Sequence, residues 1–207
     1  MADPHGEERF TEDDLLPSEE DLRARRRGLV DRIAATVAVL CAGSMFGGLV
    51  ALGACAAPMV FALAPAPYSG NAMGAAFARW DRVAVGASAA VLVCEIARTW
   101  AARGRSKQLV PRIRRFAGIL AALCAVYIGT NLSPAINQLH ADGVRRGDGE
   151  QGAQLDAIHK RAELVGKLEA VLALGLVVLH VFTLRTRDDE DEEDEDAPAP
   201  LAPGPRR

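Results

Sequence analysis

The chain has 207 residues and a formal net charge of −3, and half of its residues are hydrophobic. Residues 1–21 and 188–196 hold nine acidic residues each, which leaves residues 22–187 with 21 Lys or Arg against nine acids. This length leaves room for one small domain, and the four cysteines lie in apolar runs without the C-x-x-C spacing of zinc or iron–sulfur sites. We therefore expect a basic, apolar body between two acidic tails, with no metal site and no bound cofactor.

The longest apolar stretch, Ile33 to Leu63, has 31 residues and no charged side chain. A helix needs roughly 20 apolar residues to cross a hydrocarbon core about 30 Å thick, so this stretch predicts a transmembrane helix. Small residues recur at every fourth position in it, at Gly43, Gly47, Ala51 and Cys55. Such a ladder lets another backbone come close, so this face is predicted to pack on a neighbouring helix. Residues 1–21 show no helical periodicity and are expected to be disordered.

Three further apolar runs predict spans at residues 80–100, 116–136 and 164–184. The second span begins at Trp80 and ends at Trp100, and 20 residues of helix separate the two rings by about 30 Å, which would place one ring in each membrane interface. A hydrophilic loop of 27 residues separates the third and fourth spans. The predicted fold class is therefore all-α, an integral membrane bundle of four transmembrane helices in up-down-up-down order over residues 22–187.

The Lys and Arg residues that flank the spans decide the predicted orientation. The segment before the first span, the connection between the second and third spans and the segment after the fourth span together hold 14 of these residues. The connections on the opposite side of the membrane hold seven. By the positive-inside rule, both termini are expected in the cytoplasm. Residues 188–207 form an acidic, proline-rich tail that is expected to stay disordered. Heavy use of Ala, Arg and Gly suggests a GC-rich bacterial genome, and hence location in the plasma (inner) membrane.

Two ionisable residues lie near the predicted cytoplasmic end of the spans, where an unpaired charge is costly and each such group is a functional candidate. Glu95 lies five residues before Trp100, and His180 lies five residues before Arg185, so the two are expected at similar depth. One interpretation pairs Glu95 with Arg98, one helical turn later. The other makes Glu95 and His180 a facing pair that handles protons or cations.

Counting residues in the same way places Asn131 and Glu169 at similar depth, near the other side of the membrane. One interpretation is a hydrogen bond between spans three and four that sets their register. The other is an outward vestibule for a polar solute, lined by Asn131, Asn137, Glu169 and Arg82.

A further set of residues surrounds the ends of the spans. Ala57-Pro58 closes the first span with Phe61 and Leu63; Gly70, Gly74 and Phe77 lead into the second; His159 precedes the fourth. In these residues the chain resembles the transmembrane protein 205-like domain family over about residues 33–184. The resemblance implies a four-helix membrane bundle and brings no established reaction. His159 is then either a solvated histidine or a structural or ligand residue, and the chain has Ala162 and Gly166 where that family often has Ser and Asn.

The leading functional interpretation is a non-enzymatic membrane protein that moves or senses a small solute or ion through the four intramembrane polar residues. The alternative is an accessory subunit whose small-residue face binds a second copy or another membrane protein. A membrane redox enzyme ranks third, because haem normally needs axial ligands that project from spans and His180 is the single histidine within one. The expected partner is the lipid bilayer, nucleic acid is not expected, and no residue stands out as catalytic.

Overall fold

A computed structural model describes residues 17–65, 68–102 and 109–184. These residues form four long helices, α1 (Glu19–Leu63), α2 (Tyr68–Ala101), α3 (Leu109–Ala141) and α4 (Gly149–Phe182). Each helix is long and apolar enough to cross a membrane, and the described residues include no strand. The predicted all-helical, four-span architecture is confirmed.

The helices form a ring in which each packs on its neighbours in sequence and α1 packs on α4. Asp31 near the start of α1, Arg98 near the end of α2 and Arg114 near the start of α3 meet at one end of the bundle, so adjacent helices run antiparallel. We call this the terminal end, because α1 begins and α4 ends there, and the opposite end the distal end.

Small and aliphatic side chains fill the middle of the bundle, where Met45, Val91 and Leu176 are fully buried. Large apolar side chains such as Leu40 and Ile96 point outward and are exposed. Helices that are apolar on all faces and still expose large side chains suit a lipid surrounding rather than water.

The first turn of α1 begins inside the segment that was predicted to be disordered. Ser18 caps the helix, because its hydroxyl accepts a hydrogen bond from the Asp21 N–H at 3.1 Å and the Asp21 carboxylate accepts one from the Ser18 N–H at 3.0 Å. Acidic side chains in a first turn also suit the helix dipole. Residues 19–21 are therefore helical. The rest of the predicted tails, residues 1–16 and 188–207, lies outside the described residues.

Two of the helices contain a π-helical turn, at Val50–Ala56 in α1 and at Ile128–Leu132 in α3. A proline follows each turn, Pro58 and Pro134. Proline has no N–H to donate, and its ring collides with the carbonyl four residues earlier, so the helix widens before it.

Two sequence expectations about helix faces and ends are wrong. The 27-residue loop is much shorter, because α3 continues to Ala141 and α4 begins at Gly149, so only residues 142–148 connect them.

The ladder Gly43, Gly47, Ala51 and Cys55 is not the main packing face, since its last three residues are exposed. The buried residues of α1 are instead Ala34, Ala35, Ala38, Ala42 and Met45. Every face of α1 is rich in small residues, so size alone could not select the packed one.

Candidate functional site

Polar and charged side chains from all four helices meet at the terminal end of the bundle. We call this group the terminal cluster; it consists of Asp31, Glu95, Arg98, Arg114, His180 and Thr183. Glu95 Oε1 accepts a hydrogen bond from Arg114 Nε at 2.5 Å and lies 3.2 Å from His180 Nε2. Glu95 is 2% exposed and His180 is fully buried, so this contact is shielded from solvent.

Arg98 holds the other half of the terminal cluster. Its Nε donates to Asp31 Oδ1 at 2.8 Å and its Nη2 donates to the Thr183 carbonyl at 3.0 Å. Its Nη1 lies 2.9 Å from His180 Nδ1. A guanidinium can only donate, so Nδ1 accepts, and the ring proton of a neutral His180 sits on Nε2, facing Glu95.

The charges of the terminal cluster balance. Asp31 and Glu95 supply two negative charges, Arg98 and Arg114 supply two positive ones, and His180 is neutral. A buried ion pair tolerates its burial best when hydrogen bonds satisfy its partners. Here each guanidinium binds a carboxylate and an oxygen of Thr183, while Glu95 Oε2 and His180 Nε2 have no hydrogen-bond partner among the described residues. We interpret the terminal cluster as a closed, charge-neutral seal on this end of the bundle.

The structure brings Glu95 and His180 together, at the common depth that the residue count gave. It does not pair Glu95 with Arg98, because Arg98 reaches Asp31 and Arg114 takes its place at Glu95. Sequence reasoning missed Asp31 and Arg114, which were assigned to flanks outside the spans. Both residues lie within one helical turn of an uncharged run. Because a helix can continue beyond its apolar residues, this position could have identified them as part of the helices.

A cavity of about 760 Å³ occupies the distal end of the bundle. We call it the distal cavity; α1, α2, α3, α4 and the connection at residues 142–148 all contribute to its wall. The π-helical turns of α1 and α3 both line it, through Val50 and Gly53 on one side and Ile128 on the other. Wide turns of this kind are frequent at functional sites, since they open space beside the helix.

Two buried carboxylates line the distal cavity, Asp81 of α2 and Glu169 of α4. Glu169 is 2% exposed and Asp81 is 8% exposed. Glu169 Oε1 and Asp81 Oδ2 have no hydrogen-bond partner among the described residues, and neither does Trp80 Nε1, which belongs to the same wall. A buried polar atom without a partner is costly, so such atoms beside an open cavity indicate a place for a bound molecule.

Trp80 was expected at the membrane interface and instead enters the bundle. Its ring contacts the backbone of α1 at Gly48, where a Cβ atom would overlap it. The absence of a side chain at Gly48 makes the notch that receives the ring. Trp80 therefore forms part of the cavity wall and does not point outward, and its depth in the membrane stays a prediction.

The predicted hydrogen bond between Asn131 and Glu169 is not formed. Asn131 is exposed and donates to Thr130 Oγ1 at 2.8 Å, whereas Glu169 faces the distal cavity. Asn131 lies within the π-helical turn of α3, which adds a residue to the turn and rotates the later side chains around the axis. Of the proposed vestibule residues, Asn137 and Glu169 line the cavity, and Arg82 is exposed elsewhere.

Two histidines stand near the opening of the distal cavity, outside the apolar spans. The rings of His140 and His159 lie edge to face, with centroids 5.7 Å apart. Burial, with Arg146 as the second cause, lowers the pKa of His159 to about 4, so its imidazole is neutral near pH 7. His159 is thus a half-buried wall residue rather than a solvated histidine. Phe61 and Phe77 also line the cavity, and Pro58 follows the π-helical turn.

Comparison with known proteins gives one match. The model of a domain of unknown function, DUF4149, matches residues 40–145, about half of the chain. The matched region covers the second half of α1 with α2 and α3, so it includes Asp81 and Glu95 and ends before α4. Neither a search of curated proteins nor a search of solved structures gives a match.

Proposed function

The chain belongs to the DUF4149 family, whose function is unknown, and we propose that it is a membrane protein that binds a small solute in the distal cavity. The single observation that carries this proposal is the pair of buried carboxylates that line the cavity, Asp81 and Glu169, each of which has one oxygen without a hydrogen-bond partner among the described residues. A volume of about 760 Å³ lies within the range of roughly 300–1,000 Å³ found for small-molecule sites.

The distal end of the bundle holds an open cavity and the terminal end is closed, as expected of a membrane protein that binds a solute from one side. Glu169 and His180 are 11 residues apart in α4, which separates the cavity from the terminal cluster by about 16 Å along the axis. The buried side chains Met45, Val91 and Leu176 lie between them. A solute would therefore enter from the distal end and stop above a packed core and a neutral seal.

We place the protein in the plasma membrane of a bacterium with both termini in the cytoplasm. The support is the excess of Lys and Arg that flanks the terminal end. The distal cavity then opens to the outside. We also retain the relation to transmembrane protein 205-like domains as a proposal, because Phe61, Phe77 and His159, which carried that resemblance, all line the distal cavity.

The second candidate is a non-transporting accessory subunit. It is favoured by α1, on which Gly47, Ala51 and Cys55 form an exposed face of small residues that a further transmembrane helix could approach closely. Neither candidate involves a catalytic step. The two differ in whether water and solutes reach the distal cavity in the intact membrane.

Thiol labelling in intact cells tests the proposal. In a chain whose four native cysteines are replaced by alanine, Ala162→Cys places a thiol in the cavity wall and Ala38→Cys places one in the buried core as a control. We expect a charged, membrane-impermeant thiosulfonate to label Cys at 162 and to leave Cys at 38 unmodified. A bound solute should then slow labelling at 162. Absence of labelling at 162 would overturn the solute-binding proposal and favour the accessory subunit.

A further inference from the structure

We infer that the solute of the distal cavity is an organic cation with an apolar body, whose ammonium group is held between Asp81 and Glu169. This inference rests on the proposed function and adds the chemical class of the ligand.

The deep part of the distal cavity holds two acidic side chains. Asp81 and Glu169 project from α2 and α4, which stand at opposite corners of the bundle, and both line the same cavity. Like charges at short range repel strongly in a poorly solvated interior, so this arrangement is favourable when a cation lies between them.

The basic residues of the cavity wall do not supply that cation. Lys167 is exposed and binds Glu163 at 2.7 Å, and Arg146 is exposed beside the connection between α3 and α4. Both stand at the opening, where solvent and salt screen their charge. The innermost charges are the two carboxylates, and a positively charged ligand is the complement that they lack.

The walls between the opening and the carboxylates are apolar and aromatic. Phe61, Phe77 and Trp80 line the cavity with aliphatic side chains of α1 and α3. Aromatic faces attract alkylammonium groups as well as apolar ligand surface. A bare inorganic ion would leave most of a 760 Å³ apolar space unfilled, whereas an amine that carries a ring system would cover it.

Three compounds that share the same apolar naphthyl group and differ in charge distinguish the effect of charge on binding from that of hydrophobicity. They are 1-naphthylmethylamine, which is cationic at pH 7, the neutral 1-naphthylmethanol and the anionic 1-naphthylacetate. Binding is measured by calorimetry on the full-length chain in phosphatidylcholine nanodiscs, with empty nanodiscs subtracted. We expect the amine to bind at least tenfold more tightly than the alcohol, and the acetate to bind most weakly.

Glu169→Gln and Asp81→Asn test the carboxylates, and Glu150→Gln is the control at an exposed carboxylate that does not line the cavity. We expect each of the first two to weaken amine binding at least tenfold while affinity for the alcohol stays within twofold. The control should change neither. If a variant does not fold, the ratio of amine to alcohol affinity in the unsubstituted protein still decides the inference.

Equal affinities for amine and alcohol, or tighter binding of the acetate, would overturn the cation assignment and leave the solute-binding proposal standing. Amine selectivity that survives both substitutions would also overturn it. If none of the three compounds binds, the cation assignment falls, and labelling at position 162 decides separately whether the cavity admits solutes at all.

Discussion

The contact between Arg114 and Glu95 allows a quantitative test of the terminal cluster. Both residues are at least 96% buried, and Arg114 donates to both Glu95 and Thr183. Arg114→Met leaves the Glu95 carboxylate buried with the neutral His180 as its neighbour. Removing one partner of a buried ion pair typically costs about 3–5 kcal/mol, because the remaining charge stays buried without compensation. We expect a loss of that size in Arg114→Met and a similar one in Glu95→Gln.

The double variant decides whether the two losses share a cause. With Arg114→Met and Glu95→Gln combined, no unpaired charge remains at this point of the cluster, so the combined loss should fall short of the sum by about 2 kcal/mol or more. Equilibrium unfolding in mixed micelles, followed by tryptophan fluorescence, provides the free energies. The exposed pair Lys167–Glu163 serves as a control, and Lys167→Met should leave stability unchanged within error. Additive losses in the double variant, with an interaction free energy below about 0.5 kcal/mol, would refute the view of the terminal cluster as a coupled seal.

Two further predictions concern packing and the histidine of the seal. Gly48→Ala should destabilise the bundle by about 1–3 kcal/mol, because the new Cβ would overlap the Trp80 ring, whereas Gly47→Ala, which meets no atom within 4 Å, should be neutral or slightly stabilising in the same unfolding assay. His180→Leu removes the acceptor for Arg98 Nη1 and should cost about 1–3 kcal/mol or more, while His180→Asn, whose side-chain oxygen can accept in its place, should cost less. Equal losses in the two His180 variants would contradict the assigned role of Nδ1.

The sequence predicts the four long apolar helices well because hydrocarbon thickness imposes a length on any helix that crosses a membrane. The position of a residue along the helix axis can be predicted equally well, since each residue advances an α-helix by a fixed rise. Glu95 and His180 come together as that count implies. The ends of the helices are harder to predict from the sequence, because a helix can continue into water, where its residues need not be apolar. Arg114 lay in such an extension, and its pairing with Glu95 could not be read from the apolar pattern.

Rotation about a helix axis is the quantity that the sequence left undetermined. The depth match of Asn131 and Glu169 was counted in the same way as that of Glu95 and His180, but the π-helical turn before Pro134 turns Asn131 outward. Trp80 shows the same limit, because its inward direction depends on the notch at Gly48 of another helix. A contact between helices requires both depth and rotation, and only the first follows from residue counts.

The different environments of the carboxylates connect stability with function in this bundle. Glu95 and Asp31 each bind an arginine of the chain, so their burial is already compensated and a ligand would have to break an existing ion pair. Glu95 Oε2 also lacks a hydrogen-bond partner, but Glu95 belongs to the packed terminal cluster, whereas Asp81 and Glu169 each leave an oxygen unpaired beside open space. Because burial of an unpaired carboxylate lowers the stability of the empty protein, a ligand that supplies the missing positive charge would stabilise the bundle as it binds. The terminal cluster is therefore the part of the molecule expected to hold its shape, and the distal cavity the part expected to respond to a solute.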